Sequence, residues 1–304
     1  MSRKIVGIGA CVMDTLFTLP RYPKEDTKLR ALSAKPAGGG PAATGIVAAA
    51  KLGEEAAFIG VLSSDNGGKF LLEDFAKYNV GTDLITVEDG YRSFTSSIWL
   101  SEEAGSRTCV FDKGDLPPLH LNDAQRAAVA EAEILMIDGN EMQGALEACA
   151  VAKEHHTKVL YDCGGLYEGV ENLLKYADYI IPSEEFALGH TGKATAEEAA
   201  KALYEAYHPE IVVVTQGSRG GLYYDGRDFV SYPVFPVEVK DSNGSGDVFH
   251  GAFAAGLCKG YTPLQCCYFA SAVSAIKCTG VGARESVPAY GTVLEFLKER
   301  NHEL

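Results

Sequence analysis

Along most of the chain, short and nearly continuous apolar runs alternate with alanine-rich stretches whose apolar positions recur at helical spacing. "KIVGIGACVM", "AAFIGVL", "EILMIDG", "KVLYDCG", "DYIIPS" and "EIVVVTQG" read as strands. Their lack of polar alternation is what a parallel strand covered on both faces requires. "TGIVAAAKLG" reads as a helix closed by Gly53, and "GGKFLLEDFAKYN" as a helix with Phe70, Leu71, Phe75 and Tyr78 turned inward. Further helices are expected near 122–132, 142–154 and 195–207. Strand alternating with helix predicts an α/β fold: a three-layer αβα sandwich on a mainly parallel central sheet. No internal repeat and no linker rich in Pro, Gly or Ser divides the chain, so residues 1–304 are expected to form one domain. Two stretches break the rhythm, 13–34 and 91–112, the second a hairpin turning at Glu102–Ser106. They are expected to pair into a small sheet over one end of the main sheet, either a structural insertion or a substrate lid, with Trp99 in its core.

Composition narrows the partners. The formal net charge is −14 and no tract is strongly basic, which argues against a nucleic-acid backbone or an anionic membrane surface. A small anionic ligand is still compatible, because a pocket can be positive inside an acidic protein. No apolar run reaches the roughly 18 residues of a membrane span. The 8 cysteines are scattered without CxxC spacing, mostly in apolar stretches. With no signal-peptide pattern at the N-terminus, a reduced, cytoplasmic protein is expected.

Two nucleotide motifs fail on inspection. "GIGACV" has Val12 where the third glycine of GxGxxG belongs, and an extended stretch follows it instead of a helix. "TGKAT" has Ala194 at the Ser/Thr position of a P-loop and lacks the upstream glycine. "DSNGSGDVF" is different. Gly244 and Gly246 permit consecutive N–H groups to face one point, and the segment runs straight into the helical pattern "VFHGAFAAGL". Amides at a helix N-terminus form an anion site. Asp247 in such a place is either an N-cap on a glycine turn or a general base working beside a bound phosphate. His250 reads as a packed or capping residue. Other glycine loops stand at helix starts or strand ends: "AGGGPAATGIVAAAKLG" near the strand carrying Asp14, "VTQGSRGG" and "AIKCTGVGARESVP". Together they suit a cleft that grips phosphates and a polyol.

On these residues the chain resembles the PfkB, or ribokinase-like, family of sugar and nucleoside kinases over essentially its whole length. The family's C-terminal signature D-T-x-G-A-G-D-x-F reads here Asp241, Ser242, Asn243, Gly244, Ser245, Gly246, Asp247, Val248, Phe249, with serines at the Thr and Ala positions. The N-terminal signature is matched at Gly39 and Gly40, with Thr44 at its Asn position. The resemblance implies a ribokinase-like fold with a β-lid that often also forms a dimer surface. It implies ATP-dependent phosphorylation of a primary hydroxyl on a sugar, a ketohexose or derivative being favoured. Asp247 would be the base, and Gly244, Ser245 and Gly246 the anion hole. Asp14, Gly39, Gly40 and Thr44 would contact the sugar. Thr215, Gly217 and Gly220 fit the family's T-x-G-x-x-G loop on the nucleotide side, with Gly282 and Arg284 also near the nucleotide. The family's N-x-x-E motif, which positions Mg²⁺ through waters, is altered to "PSEEF", with Ser183 for Asn and Phe186 for Glu, so that Glu184 or Glu185 would substitute. Many members use a monovalent cation such as K⁺, and Asp241, Asn243 and Ser286 fall where its ligands lie. "GGGPAAT", "GDVFHGA" and "KCTGVGAR" are most similar to a bacterial branch that includes sulfofructose kinases beside fructokinase- and ketohexokinase-like members. An anionic sugar there needs cations, for which Lys28, Arg30, Arg107 and Lys113 are the candidates. A nucleoside kinase of the same fold and a non-catalytic sugar-binding sensor stay open as alternatives.

Overall fold

The apolar runs do form the central sheet, with revisions where glycine bends the chain. The computed structural model describes residues 3–302 and 304. Its strands are β1 (Ile5–Ile8), β2 (Val12–Leu19), β3 (Ser33–Gly39), β4 (Ala56–Phe58), β5 (Gly60–Ser63), β6 (Ile85–Glu88), β7 (Thr95–Ser101), β8 (Ser106–Asp112), β9 (Ile134–Ile137), β10 (Lys158–Cys163), β11 (Tyr179–Pro182), β12 (Ile211–Thr215), β13 (Gly221–Tyr224) and β14 (Phe229–Tyr232). The helices are α1 (Pro41–Lys51), α2 (Asn66–Lys77), α3 (Asp123–Glu131), α4 (Met142–His155), α5 (Val170–Leu174), α6 (Glu184–Thr191), α7 (Ala196–Tyr207), α8 (Ser245–Cys258), α9 (Pro263–Cys278) and α10 (Tyr290–Lys298).

Eight strands lie in the order β14-β13-β12-β11-β10-β9-β1-β4. Pairing is parallel from β4 to β12 and antiparallel at the β13–β14 edge. Strand period 2 sends alternate side chains to opposite faces. Ile5, Met136, Leu160, Ile181 and Val213 therefore join α1, α8 and α9 in one core, while Val6, Leu135, Val159, Ile180 and Val212 join α4 and α7 in another. This is the expected ribokinase-like three-layer sandwich.

Two expected strands divide. "AAFIGVL" breaks at Ile59: β4 pairs with β1, and β5 turns away to pair with β6. Gly60 makes the turn possible, since a Cβ there would press on the Phe58 ring at 2.6 Å. "KIVGIGACVM" ends as a main-sheet strand at Ile8, and the chain resumes as β2 in a separate four-stranded sheet ordered β3-β2-β7-β8. That sheet gathers the two stretches that broke the sequence rhythm, around a small core of Leu16, Ala37, Ile98 and Leu100. Trp99 is not in that core. Alternation puts it on the face opposite Ile98, half-buried, with its indole N–H donating to Ser97 Oγ at 2.9 Å. Phe70 is likewise only half-buried on α2, whereas Leu71, Phe75 and Tyr78 are buried as expected.

One contact sets the position of the functional loops. Helices α1 and α8 cross backbone to backbone: a Cβ on Gly251 would collide with the Gly45 carbonyl, and one on Gly45 would lie 3.1 Å from the Asp247 carbonyl oxygen. Gly251→Ala must push the helices apart, an overpacking cost on the order of 1–3 kcal/mol, which should lower Tm by about 2 °C or more. Gly291→Ala on α10, where a Cβ meets nothing within 4 Å, should leave Tm unchanged or slightly raised. A thermal melt showing no loss for Gly251→Ala would refute the crossing.

Candidate active site

The candidate residues gather at the carboxyl ends of the parallel strands, where open α/β sheets commonly bind their ligands. Helix α8 starts from Gly244 in the left-handed region (φ 72°), and no side chain caps it. Ser245 N donates back to Ser242 O at 3.2 Å, while the amides that follow it on the first turn meet no capping side chain. A Cβ on Gly244 would sit 2.5 Å from that of Ala283, whereas one on Gly246 would meet nothing within 4 Å. The cradle is thus packed on one side and open on the other. Asp241 ties the two glycine loops together: its carboxylate accepts from Asn243 N at 2.8 Å and from Gly282 N at 2.9 Å. The Lys277 ammonium donates to the carbonyls of Asp241, at 2.8 Å, and Asn243. Ser286 Oγ donates to Val281 O at 3.0 Å.

Asp247 follows on the first turn of α8. Desolvation pushes its carboxyl above the usual range and Asp138 adds to this, while His250, Arg107 and Lys277 oppose it. His250 is buried; its Nδ1 lies 2.7 Å from Gly246 O and its Nε2 2.9 Å from Ile181 O. Asp162 stands 3.1 Å from Nδ1, its own carboxyl raised by burial. His250 is thus a brace under the anion cradle, as its packed reading anticipated.

Asp14 projects from β2 and is 7% exposed. The Ser96 hydroxyl donates to it at 2.5 Å. Burial pushes its carboxyl up to about 6, against the pull of Ser96 and Arg284. Gly39 has no room for a side chain because the Asp14 carboxylate lies where its Cβ would be, and Gly40 turns the chain at φ 92° into α1. The cap of α1 comes from across the sheet: Asp138, after β9, accepts from Ala42 N and Ala10 N, both at 2.9 Å, and from Asn140 N at 2.8 Å. Thr44 is wholly buried, with Oγ1 3.4 Å from Arg284 Nε. Arg284 itself is not at the nucleotide side. It is 1% exposed, paired with Asp74 at 2.6 Å, donating to Gly39 O at 2.6 Å and lying over the Phe75 ring.

A cavity of about 240 Å³ joins these groups, lined by Asp14, Gly39, Gly40, Thr44, Asn243 and Asp247 from the main body and by Ser96, Ile98, Cys109 and Phe111 from the small sheet. Lys113, Asn140 and Tyr167 close its rim. Of the cationic candidates, Lys113 lines the cavity, and Arg107 shares the cavity-facing side of the small sheet through its pairing with Leu100. Lys28 and Arg30 are exposed on the β2–β3 connection and line no part of it. A larger cavity, about 340 Å³, opens at the opposite edge of the sheet, but its Lys158 is already paired with Asp178 and Glu210.

The remaining loop stands at the end of β12. Thr215 Oγ1 donates to Pro182 O at 3.3 Å, and Gly217 (φ 57°) and Gly220 (φ 83°) turn the chain back into β13. Glu184 opens α6 beside this loop, but its carboxylate accepts from Gln216 at 2.8 Å and from Arg219. Its charge is therefore already matched, while Glu185 points to solvent. No group of three or more His, Cys, Asp or Glu that could hold a metal occurs among the described residues. Sequence reasoning missed Ser96, Asp138, Asp162 and Lys277. Asp138 and Asp162 end apolar strands at the carboxyl edge, a placement that carried a usable signal.

The pattern described as pfkB family carbohydrate kinase matches residues 2–290. The chain is 27% identical over 299 residues to the ribokinase of Bacillus subtilis (strain 168), covering 97% of this chain and 99% of that one. It is 25% identical to the ketohexokinase of Mus musculus over 287 residues, 91% and 96% of the two chains. Among solved structures, the ribokinase of Thermotoga maritima superimposes with a TM-score of 0.86 at 25% identity over 97% and 99% of the chains. Ribokinase of Arabidopsis thaliana complexed with ribose and ATP gives 0.87 at 24% identity, over 98% and 99%. The chain belongs to the pfkB family of carbohydrate kinases.

Proposed function

We propose that this sugar kinase transfers the γ-phosphoryl group of ATP to a primary hydroxyl of a ketose or closely related polyol, with Asp247 as general base. The observation that carries the reading is the juxtaposition of Asp247, the uncapped first turn of α8 and Asp14 on one small cavity. Gly244, Ser245 and Gly246 present amides to the transferring phosphoryl oxygens, where charge builds in the transition state. Asp247 takes the hydroxyl proton, the sugar oxygen bonds to the γ-phosphorus, and the bond to the β-phosphate breaks as ADP leaves. Asp14, held by Ser96, accepts from the sugar hydroxyls. The small sheet acts as a lid that keeps water from competing. Thr215, Gly217 and Gly220 receive the nucleotide, which enters as its Mg²⁺ complex. With Glu184 committed to Arg219, no protein ligand to that ion is assigned.

Size and kinship support a sugar over a nucleoside. A cavity of about 240 Å³ falls below the roughly 300–1,000 Å³ of drug-sized sites. Besides ribokinase and ketohexokinase, relatives include a 5-dehydro-2-deoxygluconokinase from Clostridium botulinum, 27% identical over 87% of this chain and 85% of that one. Lys113 at the rim would suit a sugar bearing an acid group.

An ADP-release screen with Mg²⁺ across ketoses, aldoses, sulfonated sugars and nucleosides should find turnover on a sugar, and turnover on nucleosides alone would overturn the reading. Asp247→Asn should lower kcat by about 10²–10⁴-fold, the usual worth of a general base, with nucleotide binding retained. Gly246→Ala should fold as the parent does yet lose most activity, because its methyl takes the open space the phosphate needs. Near-parental rates in either variant would remove these residues from the mechanism.

Asp14 yields a prediction of opposite signs. A carboxyl raised in the folded state costs stability once pH exceeds its unfolded value of about 3.8, and the full cost is present above about 6. Asp14→Asn should therefore raise Tm at neutral pH by about 2 °C or more, with the gain vanishing near pH 4. Sugar KM should rise at least ten-fold and the acid limb of kcat/KM near pH 6 should shift. A variant less stable at pH 7 would contradict this.

The lid also supplies the proposed homodimer surface. Strand β8 is exposed along its whole length, with Val110 at 58% and Phe111 at 61%, and exposed apolar edge strands seek partners. Sedimentation should report a dimer that Phe111→Lys weakens; a monomer at micromolar concentration would refute it.

A further inference from the structure

A loop that turns its amides toward a phosphate must turn its carbonyl oxygens elsewhere, and buried carbonyls need a donor or a cation. The loop before α8 meets this need from within the chain. Lys277, in the last turn of α9, is wholly buried, and its ammonium donates to Asp241 O at 2.8 Å and to Asn243 O. The same helix end holds the loop from its other side, as Cys278 O accepts from Lys240 N at 2.8 Å and Asp241 N at 3.2 Å. A cation at the C-terminus of α9 also suits the helix dipole.

The resemblance pointed to a monovalent cation at Asp241, Asn243 and Ser286, and these residues do not fit a free ion. The Asp241 carboxylate accepts from two backbone amides and the Ser286 hydroxyl donates to Val281 O, so the misfit lies in the carbonyls. The two carbonyls face an ammonium, and K⁺ placed among them would meet a like charge at contact distance. Burial lowers the lysine's proton affinity, countered by Asp241 and Asp247.

We propose that Lys277 is a built-in replacement for the monovalent cation, a positioning residue that fixes the carbonyls of Asp241 and Asn243 so that the Gly244–Gly246 amides face the phosphate, and that this kinase needs no K⁺. The inference rests on the assignment of that loop to phosphoryl transfer. It is distinguishable from it because the fold itself reports whether the site takes an ion.

The test compares the full chain in tetramethylammonium and in K⁺ buffers at equal ionic strength, reading Tm, Mg²⁺–ATP binding and sugar-dependent ADP release. Wild-type protein should show the same Tm and affinity in both, and rates within about three-fold, less than one charge-assisted hydrogen bond is worth. A K⁺-specific rise in Tm, or a larger activation, overturns the proposal even if no sugar in the screen is phosphorylated. Lys277→Ala should lose at least about ten-fold in kcat without K⁺, and K⁺ should restore part of that loss and raise its Tm. Lys277→Met with full activity in K⁺-free buffer would equally overturn it. Should both variants fail to fold, the wild-type comparison still decides.

Discussion

The crossing of α1 and α8 at Gly45 and Gly251 is the constraint on which the site depends. Each glycine lies within about two turns of its helix start, so at 1.5 Å per residue the two N-termini are held side by side. One terminus follows the Gly39–Gly40 turn beside Asp14, and the other follows the Gly244 turn beside Asp247. A methyl at the contact would splay the helices and, in the proposed mechanism, separate the acceptor hydroxyl's place from the phosphate's. In-line transfer tolerates little of that, because effective concentration falls steeply with misalignment.

Around this crossing the chain buries charges that a purely stable protein would avoid. Asp14, Asp138, Asp162 and Asp247 gather near the cavity, and burial raises the carboxyl of each. Two buried cations and a histidine answer them in different ways. Arg284 neutralises Asp74 and clamps the Gly39 carbonyl, His250 pairs with Asp162, and Lys277 holds the loop before α8. Buried polar groups of this kind cost stability unless fully partnered. Here they hold two glycine loops whose own side chains offer nothing to grip.

Much of this was legible in the chain. Apolar runs without alternation announced the covered parallel sheet, and "DSNGSGDVF" announced a glycine turn running into a helix start. Local errors came where one residue's geometry overruled a pattern. Gly60 divided "AAFIGVL", and strand alternation put Trp99 on the face away from Ile98. Arg284 looked like a nucleotide contact from its glycine-rich neighbourhood, yet it reaches back to Asp74 and Gly39, more than two hundred positions earlier.

Periodicity and turn chemistry act between near neighbours, so the sequence by itself determined the layers, the glycine turns and the identity of Asp247 as the acid group at a helix head. Partners distant along the chain are invisible to such signals. Asp138 caps α1 from 96 positions away, and Lys277 reaches Asp241 across 36. Only the tertiary structure decided that Lys277, a lone charge in an apolar helix, points at the carbonyls of the loop before α8. The reason is physical: a buried ammonium must find acceptors, and which ones it finds depends on how the helices pack.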